Sequence, residues 1–130
     1  RDRGVTPKAA QALARAQDAL ASGRATLRLN RPETTIHSGY YAMFWVARAF
    51  VEERTGTRPK THDGLISLFN RLTQDQSPAD HATAGLLGAS FARRLAADYD
   101  DLPQFDHTDA EAALDDAEAF VALCRRLLAS

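Results

Sequence analysis

The sequence predicts an all-α fold, a single-domain bundle of about five helices joined by mostly short loops. Three observations carry this. Alanine, the strongest helix former, is the commonest residue. Prolines stand at the expected helix starts, Pro7, Pro32 and Pro78, where a missing N–H costs nothing. No alternating run of β-branched residues is bounded by turn dipeptides, so no segment reads as a strand.

The first helix opens on Thr6 as N-cap and Pro7, and its apolar stripe is Leu13, Leu20 and Leu27, with Ala10, Ala14, Ala16 and Ala21 around them. It runs to about Leu29. The second opens at Pro32 and closes at Gly56. Ile36, Tyr40, Met43, Phe44, Ala47, Phe50 and Val51 form one face, while His37, Tyr41, Trp45 and Arg48 form another. Aromatics on two faces place this helix centrally, against a second copy, or both. A third, about Asp63–Leu72, follows the turn Arg58-Pro59-Lys60-Thr61-His62. The fourth is capped by Ser77 and runs unbroken to Asp98 or Tyr99, with Ala84, Leu87, Gly88, Phe91 and Leu95 inward. Pro103 breaks the chain. Thr108 and Glu111 then read as a capping box for the fifth, whose face is Leu114, Ala117, Val121, Cys124 and Leu128.

A chain of 130 residues fits one domain, 1–130, with a real core. No apolar run approaches the roughly 20 residues that span a bilayer, so no membrane role is expected. One cysteine, Cys124, excludes a disulfide framework, fits a cytoplasmic setting, and reads as an inert core thiol. The net charge of −1 hides an asymmetry: residues 1–60 hold 11 Lys/Arg against 5 Asp/Glu, and residues 61–130 hold 5 against 12. Either the helices of the two halves interleave their charges, or the basic half meets phosphates.

No Gly-rich loop cradles a phosphate, and no Cys pair or HExxH run offers metal ligands, so neither cofactor nor metal is expected. His37, His62, His81 and His107 are scattered over four segments. Two segments stand out. Tyr40-Tyr41-Ala42-Met43-Phe44-Trp45 carries more bulk than one core face holds, which points to a dimer contact or to base stacking. Arg93-Arg94-Leu95-Ala96-Ala97-Asp98-Tyr99-Asp100-Asp101 places three aspartates at a helix C-terminus, against the helix dipole. Arg94 and Asp98, four apart, share a face, though an i,i+4 pair with Arg first is the weaker orientation.

Gly39-Tyr40-Tyr41-Ala42-Met43-Phe44, then Pro59-Lys60-Thr61-His62-Asp63-Gly64, then Arg94-x-x-x-Asp98-Tyr99-Asp100 together resemble the small stand-alone branch of the HEPN family, from about Ala9 to Leu123. The resemblance implies a helical-bundle homodimer with a cleft between paired helices. In many relatives that cleft is a metal-independent ribonuclease site, several relatives are toxins, and a small nucleotidyltransferase is the antitoxin partner. Their signature, an Arg followed after four to six residues by a His, is absent here after Arg94. Arg31 and His37 match it formally, but at a helix start in another element. What carries over is Arg94, Asp98 and His62 as catalytic candidates, and Arg94, Tyr99 and Lys60 as candidates for RNA or nucleotide binding. Tyr99 is also a candidate for adenylylation by a partner. Two functions follow from the resemblance: a ribonuclease-like toxin of a toxin–antitoxin pair, or a non-catalytic module that binds a nucleotide or a nucleotidyltransferase.

Overall fold

The computed structural model describes residues 5–99 and 105–130, in which six helical segments form one bundle without strands. They are α1 (Pro7–Arg28), α2 (Pro32–Thr55), α3 (His62–Leu72), α4 (Pro78–Ala84), α5 (Leu86–Tyr99) and α6 (His107–Ala129). α2 is the axis of the bundle and packs on α1, α3, α5 and α6.

Most helix ends are set by the residues next to them. The Thr6, Thr61 and Ser77 side chains accept hydrogen bonds from the N–H groups of Ala9, Gly64 and Asp80. Asn30 takes a positive φ of 58° in the turn that reverses α1 into α2, a conformation asparagine tolerates well. Gly56 closes α2 at φ 74°, where a Cβ would be strained.

Two expectations are corrected. The fourth helix is not continuous, because Gly85 interrupts it between α4 and α5. Glycine is a weak helix former, and the two parts serve different neighbours, α4 resting chiefly on α6 and α5 on α2. The capping box of α6 is Asp106 with Asp109, not Thr108 with Glu111. The Asp106 side chain accepts from the Asp109 N–H at 2.9 Å, and the Asp109 side chain accepts from the Asp106 N–H at 3.0 Å. Both registers exist in the sequence, and the upstream one lets α6 begin a turn's fraction earlier, at His107.

The core runs through Leu13 and Leu20 of α1, Tyr40, Met43 and Phe50 of α2, Leu65 and Phe69 of α3, and Phe120 and Cys124 of α6. Each of the large side chains contributes roughly 1.5–3 kcal/mol by leaving water. The α1 stripe is Ala9, Leu13, Ala16, Leu20 and Gly23, at alternating spacings of four and three, with Leu27 only partly covered and Ala10, Ala14 and Ala21 exposed. Gly39 brings α2 close to α6, since a Cβ there would lie 3.5 Å from the Ala117 Cβ. Phe120 is fully buried between the α6 positions expected inward. Burial pushes the Cys124 thiol pKa far up, so it stays protonated and unreactive.

The capping assignment has a direct consequence. Asp106→Ala is expected to lower the urea midpoint, and Thr108→Ala to lower it by less than half as much. Equal losses would return the cap to Thr108.

Candidate functional site

The side of α2 away from the core carries the polar chemistry. His37, Tyr41, Trp45 and Arg48 recur every three or four residues and are all half-buried. α5 lies across the first two. Its Arg94 donates through Nη2 to the Tyr41 hydroxyl at 3.3 Å and lies over the rings of Tyr40 and Tyr41, 5.8 and 5.4 Å from their centroids. Arg94 Nε is 3.1 Å from Asp98 Oδ2, at an angle outside hydrogen-bond geometry, so charge holds that pair. Its side chain is only 15% exposed. Arg94 is therefore a packed residue as well as an ion-pair partner, and its removal costs more than the few tenths of a kcal/mol of an isolated helix pair.

Asp98 has a second partner. Its Oδ1 lies 3.3 Å from Nδ1 of His37, on α2, whose side chain is 43% exposed. One carboxylate thus joins an imidazole from α2 to a guanidinium from α5. This accounts for an acid in the last turn of a helix, where the dipole disfavours it. With Nδ1–H donating to Asp98, His37 presents the lone pair of Nε2 outward.

His62 stands on the other side of the tyrosines, at the first residue of α3. Its ring stacks on Phe91 and Phe44, both at 5.0 Å between centroids, and on Tyr40 at 5.6 Å. Its Nδ1 is 2.6 Å from the Tyr40 hydroxyl. Burial raises the pKa of that hydroxyl, against the lowering effect of Arg94, so it keeps its proton. Burial, then the charge of Arg94, hold the His62 imidazole below its ordinary value, with Asp63 opposing them. Two neutral groups in contact need one donor, and the Tyr40 O–H donating to Nδ1 satisfies a buried hydroxyl. His62 then carries its own proton on Nε2. Its ring borders a cavity of about 490 Å³ whose walls include Lys60, Arg58 and Arg48.

The structure therefore brings Arg94 and Asp98 together and sets His62 near enough to feel the Arg94 charge. Lys60 lies on the wall of the cavity beside His62. The Tyr99 side chain, and Asp100 and Asp101 entirely, lie outside the described residues. Sequence reasoning missed His37 as the second partner of Asp98, and Tyr40 and Tyr41 as polar members of the site. The only available signal was the second face of α2, which names His37 and Tyr41 without saying what they meet.

The described parts of three landmark segments thus converge on one α2–α3–α5 surface, and a family model for the HEPN domain matches residues 9–127. The chain belongs to the HEPN domain family. No curated protein sequence matches it. The HEPN assignment covers nearly the whole bundle and agrees with its all-α architecture. Among the described residues, no three His, Cys, Asp or Glu side chains converge as metal ligands, and no helix is long and apolar enough to cross a membrane. The aromatic excess of α2 is largely housed within the chain itself: among the described residues the one large hydrophobic side chain left exposed is Leu29.

The state of His62 gives a pH signature. It titrates below its ordinary 6.5 in the fold and near 6.5 when unfolded, so the unfolded chain takes up this proton first. The group leaves stability unchanged well above pH 7 and lowers it as pH falls through 6.5. The urea midpoint is expected to drop more between pH 7.5 and 5.5 in wild type than in His62→Gln. Parallel profiles would show that His62 titrates normally.

Proposed function

We propose that this HEPN protein is a ribonuclease-like toxin component that cleaves single-stranded RNA through the 2′-hydroxyl. One observation supports the reading above the others: the His37–Asp98–Arg94 array, an imidazole oriented by a carboxylate beside a guanidinium. Cleavage needs a base for the 2′-hydroxyl and a cation for the charge that grows on phosphorus. In this reading Nε2 of His37 takes the hydroxyl proton, and the 2′-oxygen attacks phosphorus. Arg94 stabilises the phosphorane, and the departing 5′-oxygen takes a proton from solvent. Asp98 orients His37 and balances the imidazolium that forms. His62 donates a hydrogen bond to a phosphate oxygen or base from the far side, with Lys60 adding charge. The working unit is a homodimer in the cytoplasm, held in check by a small nucleotidyltransferase that modifies Tyr99.

A second reading has its own support. Arg94 is mostly buried and already engaged by Tyr41 and Asp98, as in a site that holds a phosphate without turning it over. In that case the protein is a non-catalytic HEPN module for a nucleotide or a nucleotidyltransferase.

One experiment separates the two. His37→Ala changes a half-exposed side chain, so the fold is retained. If His37 is the base, single-turnover cleavage of a single-stranded oligoribonucleotide falls by roughly 10²–10⁴ while its Kd changes less than threefold. Arg94→Ala should lose both cleavage and binding. RNA bound by wild type and never cut, with His37→Ala indistinguishable from it, would establish the binding module instead.

A further inference from the structure

Past Tyr41, the outer face of α2 continues as a basic groove that meets the centre at Arg94 only at His62 and Lys60. Trp45, one turn on, has the guanidinium carbons of Arg15 and Arg48 each 4.6 Å from its ring centroid. Arg48 also lies 5.3 Å from the centroid of Phe44, a wall of the His62 cavity. Next to that cavity is a second one of about 220 Å³, with Trp45, Arg15 and Lys8 among its walls. Arg48 and Arg58 line both, so the two cavities adjoin. From Tyr41 to Glu52 this face of α2 runs about 16 Å, far longer than one phosphate group.

The charge along it is one-sided. Lys8, Arg15, Arg48, Arg58 and Lys60 line the two cavities, and among the described residues Glu52 is the one carboxylate that does. Glu52 is shared: it lies 3.0 Å from Lys8, 2.6 Å from Arg58 and 3.6 Å from Arg48. Glu53, next in sequence, accepts instead from the Thr6 hydroxyl at 2.9 Å. Arg15 has no carboxylate partner among the described residues. Burial, together with the neighbouring charges of Arg58 and Arg15, lowers the pKa of Arg48 despite Glu52. The cations are thus fixed in place, Arg15 and Arg48 on an aromatic plane and Lys8 and Arg58 on one carboxylate, while their mutual repulsion is only partly relieved. A two-fold copy seated here would set these same cations against each other. A run of phosphates would relieve them, and guanidinium forks match phosphate geometry.

We propose that this groove binds the phosphodiester backbone of single-stranded RNA, extending the centre at Arg94 and His37 by several phosphates along α2. The proposal rests on the reading of that centre as an RNA site. It makes the substrate a strand rather than a mononucleotide, with Trp45 holding two phosphate-binding guanidiniums.

Trp45 is the chain's one tryptophan, so its fluorescence reports on the groove directly. The probe is a 12-residue oligouridylate with 2′-deoxy sugars, which binds without being cut. Wild type should bind it with a change in Trp45 emission, and far more tightly than uridine monophosphate. The double variant Lys8→Gln with Arg15→Gln alters two exposed side chains that line the groove and take no part in the centre. It should lose about 1.4 from the slope of log K against log salt, and about 25-fold in affinity at 0.1 M salt, at roughly 0.7 per phosphate contact on single strands. Wild-type binding and slope in that variant overturn the groove and leave the Arg94 centre standing. Undiminished RNA cleavage by Arg94→Ala, with the double variant still weakened for the oligonucleotide, overturns the centre instead. Poly-glutamate binding as tightly as the oligonucleotide would mean an acidic protein partner and overturn the proposal. So would a Trp45 signal that follows protein concentration alone, with a doubling of mass, since a second copy then covers the groove.

Discussion

Everything in this bundle follows from one helix having to place aromatic side chains on two sides at once. α2 gives Tyr40, Met43 and Phe50 to the core, which fixes it at the centre with α1, α3 and α6 around it. Its remaining side, from His37 to Arg48, then cannot be core. α5 covers one end of that side, and Asp98 is the clamp, touching His37 on α2 and Arg94 on its own helix. The other end stays open, lined by Trp45 and its two guanidiniums. The position of the site is thus a by-product of the packing problem that α2 poses.

The charge asymmetry of the sequence resolves in two ways. Part of it interleaves, as expected of helices from opposite halves: Arg24 pairs with Glu118 at 2.8 Å, whereas Arg126 meets Asp80 at 3.1 Å within the acidic half. Such exposed pairs add little to stability. The rest does not interleave. Five cations of the basic half, from α1, α2 and the turn into α3, line the two adjoining cavities, and three of them share Glu52. Burial alone would raise the Glu52 pKa, but hydrogen bonds from Arg58 and Lys8 outweigh it and hold the carboxyl below its ordinary range. That concentration of like charge attracts anions and works against the compact fold.

Where a feature depends on neighbours in sequence, the sequence shows it. Thr6, Ser77 and Gly56 end their helices as read, and Arg94 meets Asp98 as four-residue spacing requires. Where two local signals compete, the reading fails. Asp106 and Asp109 offer the same box as Thr108 and Glu111, two residues earlier, and periodicity does not rank them. The break at Gly85 was hidden for another reason: only the different neighbours of α4 and α5 make a tolerable glycine a break. The site was legible in half. His37 lies 61 residues from Asp98, and His62 lies 22 from Tyr40. The family signature looks for its histidine shortly after the arginine on one helix, whereas here the imidazole beside Asp98 arrives from α2 through tertiary packing.

The claim on which the functional account turns is the state of His37, and ring-nitrogen NMR reads it directly. In a sample labelled with ¹⁵N-histidine, at a pH where the ring is neutral, the account predicts that His37 is the Nδ1–H tautomer with its lone pair on Nε2. Asp98→Asn should return it to the Nε2–H form that free histidine prefers. An Nε2–H tautomer in wild type, unchanged by Asp98→Asn, would contradict the orientation of the base and with it the mechanism.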